Sequence, residues 1–222
     1  MTNKKLLFPL LYVLVTLLSF YVVLQYLIYS PSDSGMVSAK MDDPSFPYRV
    51  WKIFFYPHIL LGLAALLTGS YQLTKRSRRN PALHKRLGRI YGISIFLNVP
   101  VVPFIALYAT GGTPSTVAFM VLDVLWLAMT AAGVRYILRK DVVRHRQWML
   151  RSYAVTLVFV TFRIVLGIES LLTDAPSSVT FPVAVALSIV LNLAYAEFYM
   201  TKKSKKSPTP YINDKGRSAQ NV

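Results

Sequence analysis

Six apolar runs punctuate this chain, at residues 6–29, 51–73, 88–109, 116–138, 149–172 and 179–200. Each is about the twenty residues that a helix needs to cross hydrocarbon. No other feature restricts the fold as much. Bilayer interiors hold no water to satisfy a free N–H or C=O, so a spanning segment closes its hydrogen bonds within itself, as a helix does. The expected fold is all-α: one polytopic domain over residues 1–200 with six transmembrane helices, the second to fifth forming a core bundle. The basic, polar stretch from 201 to 222 reads as a disordered tail. Composition agrees, with 54% hydrophobic residues and a mean hydropathy of +0.45.

The formal net charge of +16 would suggest a nucleic-acid partner in a soluble protein. Its distribution points elsewhere. Of the 25 Lys and Arg, 21 precede the first run, follow the sixth, or lie between, or at the facing ends of, the second and third or the fourth and fifth. Lys40, Arg49 and Lys52 occupy the alternate side, and Arg163 lies inside a run. The positive-inside rule then places both termini in the cytoplasm. The expected partner of the basic face is the anionic headgroup layer of the bilayer, with no nucleic acid. There is no cysteine, which excludes disulfides, thiolate catalysis and thiolate metal sites. Phosphate-binding glycine loops, zinc HExxH and GxSxG motifs are absent from the sequence as well.

Local features divide the runs further. Residues 30–49 hold Pro31, Gly35, Pro44 and Pro47 and form the one long loop on the less basic side, either a lid or a tolerated insertion. In the second run His58, Gly62, Ala65 and Gly69 fall on one helical stripe, suited to close helix packing or to a flat ligand. Asn80 followed by Pro81 predicts a helix N-terminus, and Asp141 predicts another. Asn98, Pro100 and Pro103 predict a kink in the third run.

Two constellations carry possible chemistry. With a rise of about 1.5 Å per residue, His58, Asp123 and Arg163 share one depth in the outer half of the membrane. An arginine at the centre of a spanning helix costs ~3 kcal/mol on insertion scales, so Arg163 implies a partner or a cavity. Either Asp123 and Arg163 pair structurally, or the three line an outward-facing polar pocket beneath residues 30–49 that binds a small ligand or relays a proton. On the cytoplasmic face His84 and His145 open two helices amid Arg86, Arg89, Arg146 and Arg151. Three readings fit that cluster: interfacial snorkelling, phosphate or headgroup binding, and ligation of haem iron by His84 and His145.

LHKRLGRIYG, HRQWMLRSYAVTLVFVTFRI and HILLGLAALLTGSYQL resemble domain-of-unknown-function (DUF) family 2306, a family of bacterial membrane proteins. The resemblance spans about 51–169, with His84, Arg89, His145, Trp148, Arg151, Tyr153 and Arg163 in its distinctive stretches and the first and last runs outside them. It implies a multi-pass protein of the plasma membrane and no particular reaction. A more distant similarity is to b-type cytochrome bundles, four helices with inward histidine pairs, although here only His58 is plainly inside the membrane; haem b held by His84 and His145 is the cofactor reading that the residues themselves leave open. The leading expectation is thus a membrane protein that binds a small ligand or cofactor through His58, Asp123 and Arg163. A haem electron-transfer protein and a non-catalytic factor that stabilises a partner protein complex are the alternatives.

Overall fold

A computed structural model describes residues 4–206, and among them every regular element is helical. The first helix, α1 (Lys4–Val23), ends in one wider π turn, Leu24–Ile28. A short helix, α2 (Gly35–Met41), follows in the long loop, and α3 (Tyr48–Gln72) carries the His58 stripe. Next come α4 (Lys75–Arg79), α5 (Pro81–Asn98), α6 (Val102–Ala106) and α7 (Thr113–Leu138). The chain closes with α8 (Val142–Thr156), α9 (Val158–Leu172) and α10 (Ser177–Lys206). The last helix therefore runs past residue 201, and the rest of the expected tail lies outside the described residues.

Among the described residues five segments are long and apolar enough to cross a membrane: Pro9–Ile28, Tyr48–Gln72, Thr113–Leu138, Val142–Leu172 and Ser177–Lys202. The third apolar run is not among them. It is divided into α5 and α6, because Pro100 and Pro103 cannot donate to the helical ladder. A milder break at Leu157 separates α8 from α9, where Asn192 of α10 reaches across. Its Nδ2 donates to the Ala154 carbonyl at 3.0 Å and to Thr161 Oγ1 at 2.9 Å.

Local chemistry sets two helix starts as expected. Asn80 caps α5, its side chain accepting from Leu83 N with Pro81 in the first turn, and Asp141 caps α8 by accepting from Arg144 N. Between α7 and α8 the chain turns through Lys140 at φ 62°. The Asp141 and Lys140 amides reach back to the carbonyls of Tyr136 and Ile137, which closes the helix end.

The core is the bundle of α3, α5, α7 and α8, with its widest interfaces between α3 and α5 and between α7 and α8. Ala65, Tyr91, Ile95, Trp126, Tyr153 and Val155 fill its centre. Gly69 is obligatory there, because a Cβ would run into the Tyr153 and Tyr91 rings. The small-residue stripe of α3 is thus packed against side chains of the bundle, Gly62 lying against the Phe159 ring.

Five buried polar groups tie three helices together at this level. Thr130 Oγ1 donates to the Trp126 carbonyl at 2.7 Å, so the 2.7 Å contact with Ser152 Oγ must carry the serine proton. Ser152 is then the acceptor for Tyr91 OH at 2.7 Å, and Tyr91 in turn accepts from Thr156 Oγ1 at 2.8 Å. Trp126 Nε1 donates to Thr156 Oγ1 at 2.9 Å and completes the circuit. A circuit that begins and ends on Trp126 has no loose end to pass a proton onward, so it is a clasp.

The long loop folds as a cap. Ser34 caps α2, and Lys40 Nζ donates to the Tyr108 carbonyl and, at 3.1 Å, to Thr110 Oγ1. Burial draws the Lys40 ammonium below the usual lysine range. Phe46 packs between Trp51 and Tyr108, with ring centroids 5.5 Å away on each side, and Trp51 stacks on Phe55 at 4.3 Å.

Candidate functional site

Among the three residues expected to form the intramembrane pocket, the structure brings two together. His58 and Arg163 line one cleft of about 40 Å³ between α1, α3 and α9, with Ser19, Gly62, Leu63 and Phe159 among its other walls. None of the lining residues comes from the loop at 30–49. The cleft is therefore flanked by helices and has no lid from that loop.

Arg163 does not pair with Asp123. Its Nη1 donates to the Phe159 carbonyl at 2.9 Å, one turn back on its own helix, and its guanidinium lies 6.0 Å from the Tyr21 ring centroid. Among the described residues the ion pairs are Arg144 with Asp141 and Arg151 with Glu197. Asp123 sits on α7 with Trp126 and Thr130, is 6% exposed, and is not part of the cleft wall. Its Oδ1 is buried without a hydrogen-bond partner. Equal depth put these residues on one level, and helix rotation separated them.

A residue that sequence reasoning assigned only to a kink holds His58 in place. Asn98, fully buried, ends α5, and its Oδ1 accepts from His58 Nδ1 at 3.0 Å. Since an amide oxygen only accepts, the His58 proton is on Nδ1 and its Nε2 carries the lone pair. Asn98 Nδ2 is buried with no acceptor, and it lies about 4.0 Å from where a Cβ on Gly62 would be. The cleft wall thus holds a permanent cation and an imidazole beside the Phe159 ring, while Asn98, bonded to His58, is not itself among the lining residues. An asparagine at a helix end beside two prolines was the available sequence clue.

At the basic end the expected cluster divides. Arg151 turns to α10, where Nε and Nη2 contact the two Glu197 oxygens at 2.5 and 3.0 Å, and its guanidinium lies 4.9 Å from the Trp148 ring centroid. Arg86, Arg89 and Arg146 are exposed. His84 and His145 are half-buried and each is held by a neighbour. Ser77 Oγ donates to Gln72 Oε1 at 3.2 Å, so it must accept from His84 Nδ1 at 2.9 Å. His145 Nδ1 donates to the Gly133 carbonyl at 2.8 Å. In the neutral ring both therefore keep the lone pair on Nε2, the form that ligates iron. Burial first, then the charges of His145 and Arg78, pull His84 below the ordinary histidine range. No cluster of three or more metal-ligating side chains occurs among the described residues.

Long apolar helices that bury their polar side chains in a clasp and expose Leu138, Leu171 and Leu172 at 78%, 85% and 80% define a multi-pass membrane protein. Residues 55–200 match the DUF2306 family, described as predicted membrane proteins, and the chain belongs to that family. The match takes in most of α10, which the sequence resemblance left outside its distinctive part, and begins after α1. No curated protein and no solved structure matches the chain.

Proposed function

We propose that this is a six-crossing protein of the plasma membrane, both termini cytoplasmic, that binds a small oxygen-bearing ligand in the cleft of His58 and Arg163, with Asn98 supporting His58. The sixth crossing is α5 with α6, and 21 of 25 basic residues at one side support the orientation. One observation carries the ligand: the cleft wall holds an arginine with no ion-pair partner among the described residues, and Asn98, bonded to the His58 of that wall, keeps a fully buried, unsatisfied Nδ2 donor. Buried donors are nearly always satisfied, and a ligand oxygen would satisfy this one. The cleft is small and its walls are largely apolar, which suits the oxygen end of a membrane-dissolved molecule. Asp123 stands outside the cleft wall and apart from the ligand.

The test is native mass spectrometry of protein purified in mild detergent, with each variant checked by thermal melting. Wild type and Asp123→Asn are expected to retain the same non-lipid mass, and Asn98→Leu and Arg163→Gln to lose it. No bound mass in wild type, or equal retention in well-folded Asn98→Leu, would overturn the reading.

The tautomers of His84 and His145 favour a second reading, in which these two Nε2 atoms hold haem b. The bound group would supply one-electron chemistry, and Ser77 and Gly133 would fix the ring orientations. Oxidised and dithionite-reduced visible spectra decide it: a Soret band lost in His84→Ala supports it, and a colourless folded protein rules it out.

A further inference from the structure

A groove of about 460 Å³ runs between α5 and α7, lined by Phe96, Ala131, Val134, Arg135, Leu138 and Arg139. Its volume is in the range of sites for drug-sized ligands. Four of the six lining residues are apolar, and Leu138 and Phe96 are 78% and 39% exposed. The other two are arginines four residues apart on α7, both exposed. Like charges at that spacing repel, so the pair is a standing electrostatic cost unless an anion lies between them. Nothing in the described chain meets that need. The acids at this end are committed elsewhere, Asp141 to Arg144 at 3.5 Å and Glu197 to Arg151 at 2.5 Å.

We infer that this groove binds one anionic phospholipid, its phosphate held by Arg135 and Arg139 and an acyl chain laid along Phe96, Ala131, Val134 and Leu138. The combination decides the occupant. A free phosphate has no use for an apolar wall, and a neutral lipid has no use for two unpaired guanidiniums. The Phe96 ring folds toward Gly92, with Cε2 about 4.0 Å from where a Gly92 Cβ would be, which keeps this aromatic wall close to α5.

The experiment uses full-length protein reconstituted in nanodiscs of phosphatidylglycerol and phosphatidylcholine, released and weighed by native mass spectrometry. Wild type is expected to retain phosphatidylglycerol in preference to phosphatidylcholine. At about 1 kcal/mol per basic residue near a headgroup, Arg135→Gln with Arg139→Gln should weaken that lipid roughly thirtyfold. Ala131→Trp, which fills the groove at an exposed position and changes no charge, should displace it as well. Lys85→Gln with Arg86→Gln, an exposed pair outside the groove, should leave it in place. Equal retention of the two lipids by wild type would overturn the site. So would a Lys85/Arg86 variant as weak as the Arg135/Arg139 one, which would show a diffuse surface field, or full retention in Ala131→Trp.

Discussion

Replacing Tyr91 by phenylalanine removes one oxygen from the middle of the bundle and keeps the ring that packs in the core. That oxygen joins Ser152 Oγ at 2.7 Å and Thr156 Oγ1 at 2.8 Å, both fully buried. Two lost hydrogen bonds do not mean two orphaned groups. Thr156 Oγ1 already lies 3.1 Å from the Ser152 carbonyl and can turn its proton there, while Ser152 keeps donating to Thr130. One serine lone pair is left unsatisfied, so the expected cost is about 1 kcal/mol, near a single net hydrogen bond. Measured interhelical bonds in membranes fall in the same range, averaging ~0.6 kcal/mol with a maximum near 1.7. Ser152→Ala removes the neighbouring link of the same circuit, so the double variant should cost at least ~0.5 kcal/mol less than the sum of the singles. Reversible unfolding in mixed micelles of mild detergent and sodium dodecyl sulfate, followed by circular dichroism, measures all four corners of the cycle. A Tyr91→Phe variant within ~0.3 kcal/mol of wild type, or strict additivity, would refute the clasp.

Two further outcomes follow from the packing and from the basic end. Gly69→Leu should destabilise by ~1–3 kcal/mol or more, because its side chain must displace the Tyr153 and Tyr91 rings; a melting temperature equal to wild type would contradict the packing. His84, ahead of the apolar run, is held below its ordinary pKa, so below about pH 6.5 the unfolded chain binds more protons there than the folded chain does. Stability from this group is present above the unfolded pKa and is lost as pH falls toward the folded one. Melting temperature should therefore drop between pH 7.5 and pH 5, and His84→Gln should flatten that drop; identical slopes would exclude His84 as the cause.

Reading along the chain was enough wherever the cause is local. Apolar run length predicts the long helices, Asn80 and Asp141 cap the helices they were expected to cap, and Asn98, Pro100 and Pro103 end α5 where the donors run out. The matched family covers the same core. Residue rise also gives depth, which is why His58 and Arg163 were legible as candidates for one site. Depth along a helix is a property of that helix; the direction a side chain faces depends on which neighbour it packs against. Tertiary packing alone turned Asp123 away from the cleft wall, put Asn98 against His58, and left Arg163 on its own backbone carbonyl. It also closed Tyr91, Ser152, Thr130, Thr156 and Trp126 into one circuit, from residues up to 65 positions apart. Helix rotation is set by summed contacts between distant segments, and no periodicity within a single segment records it.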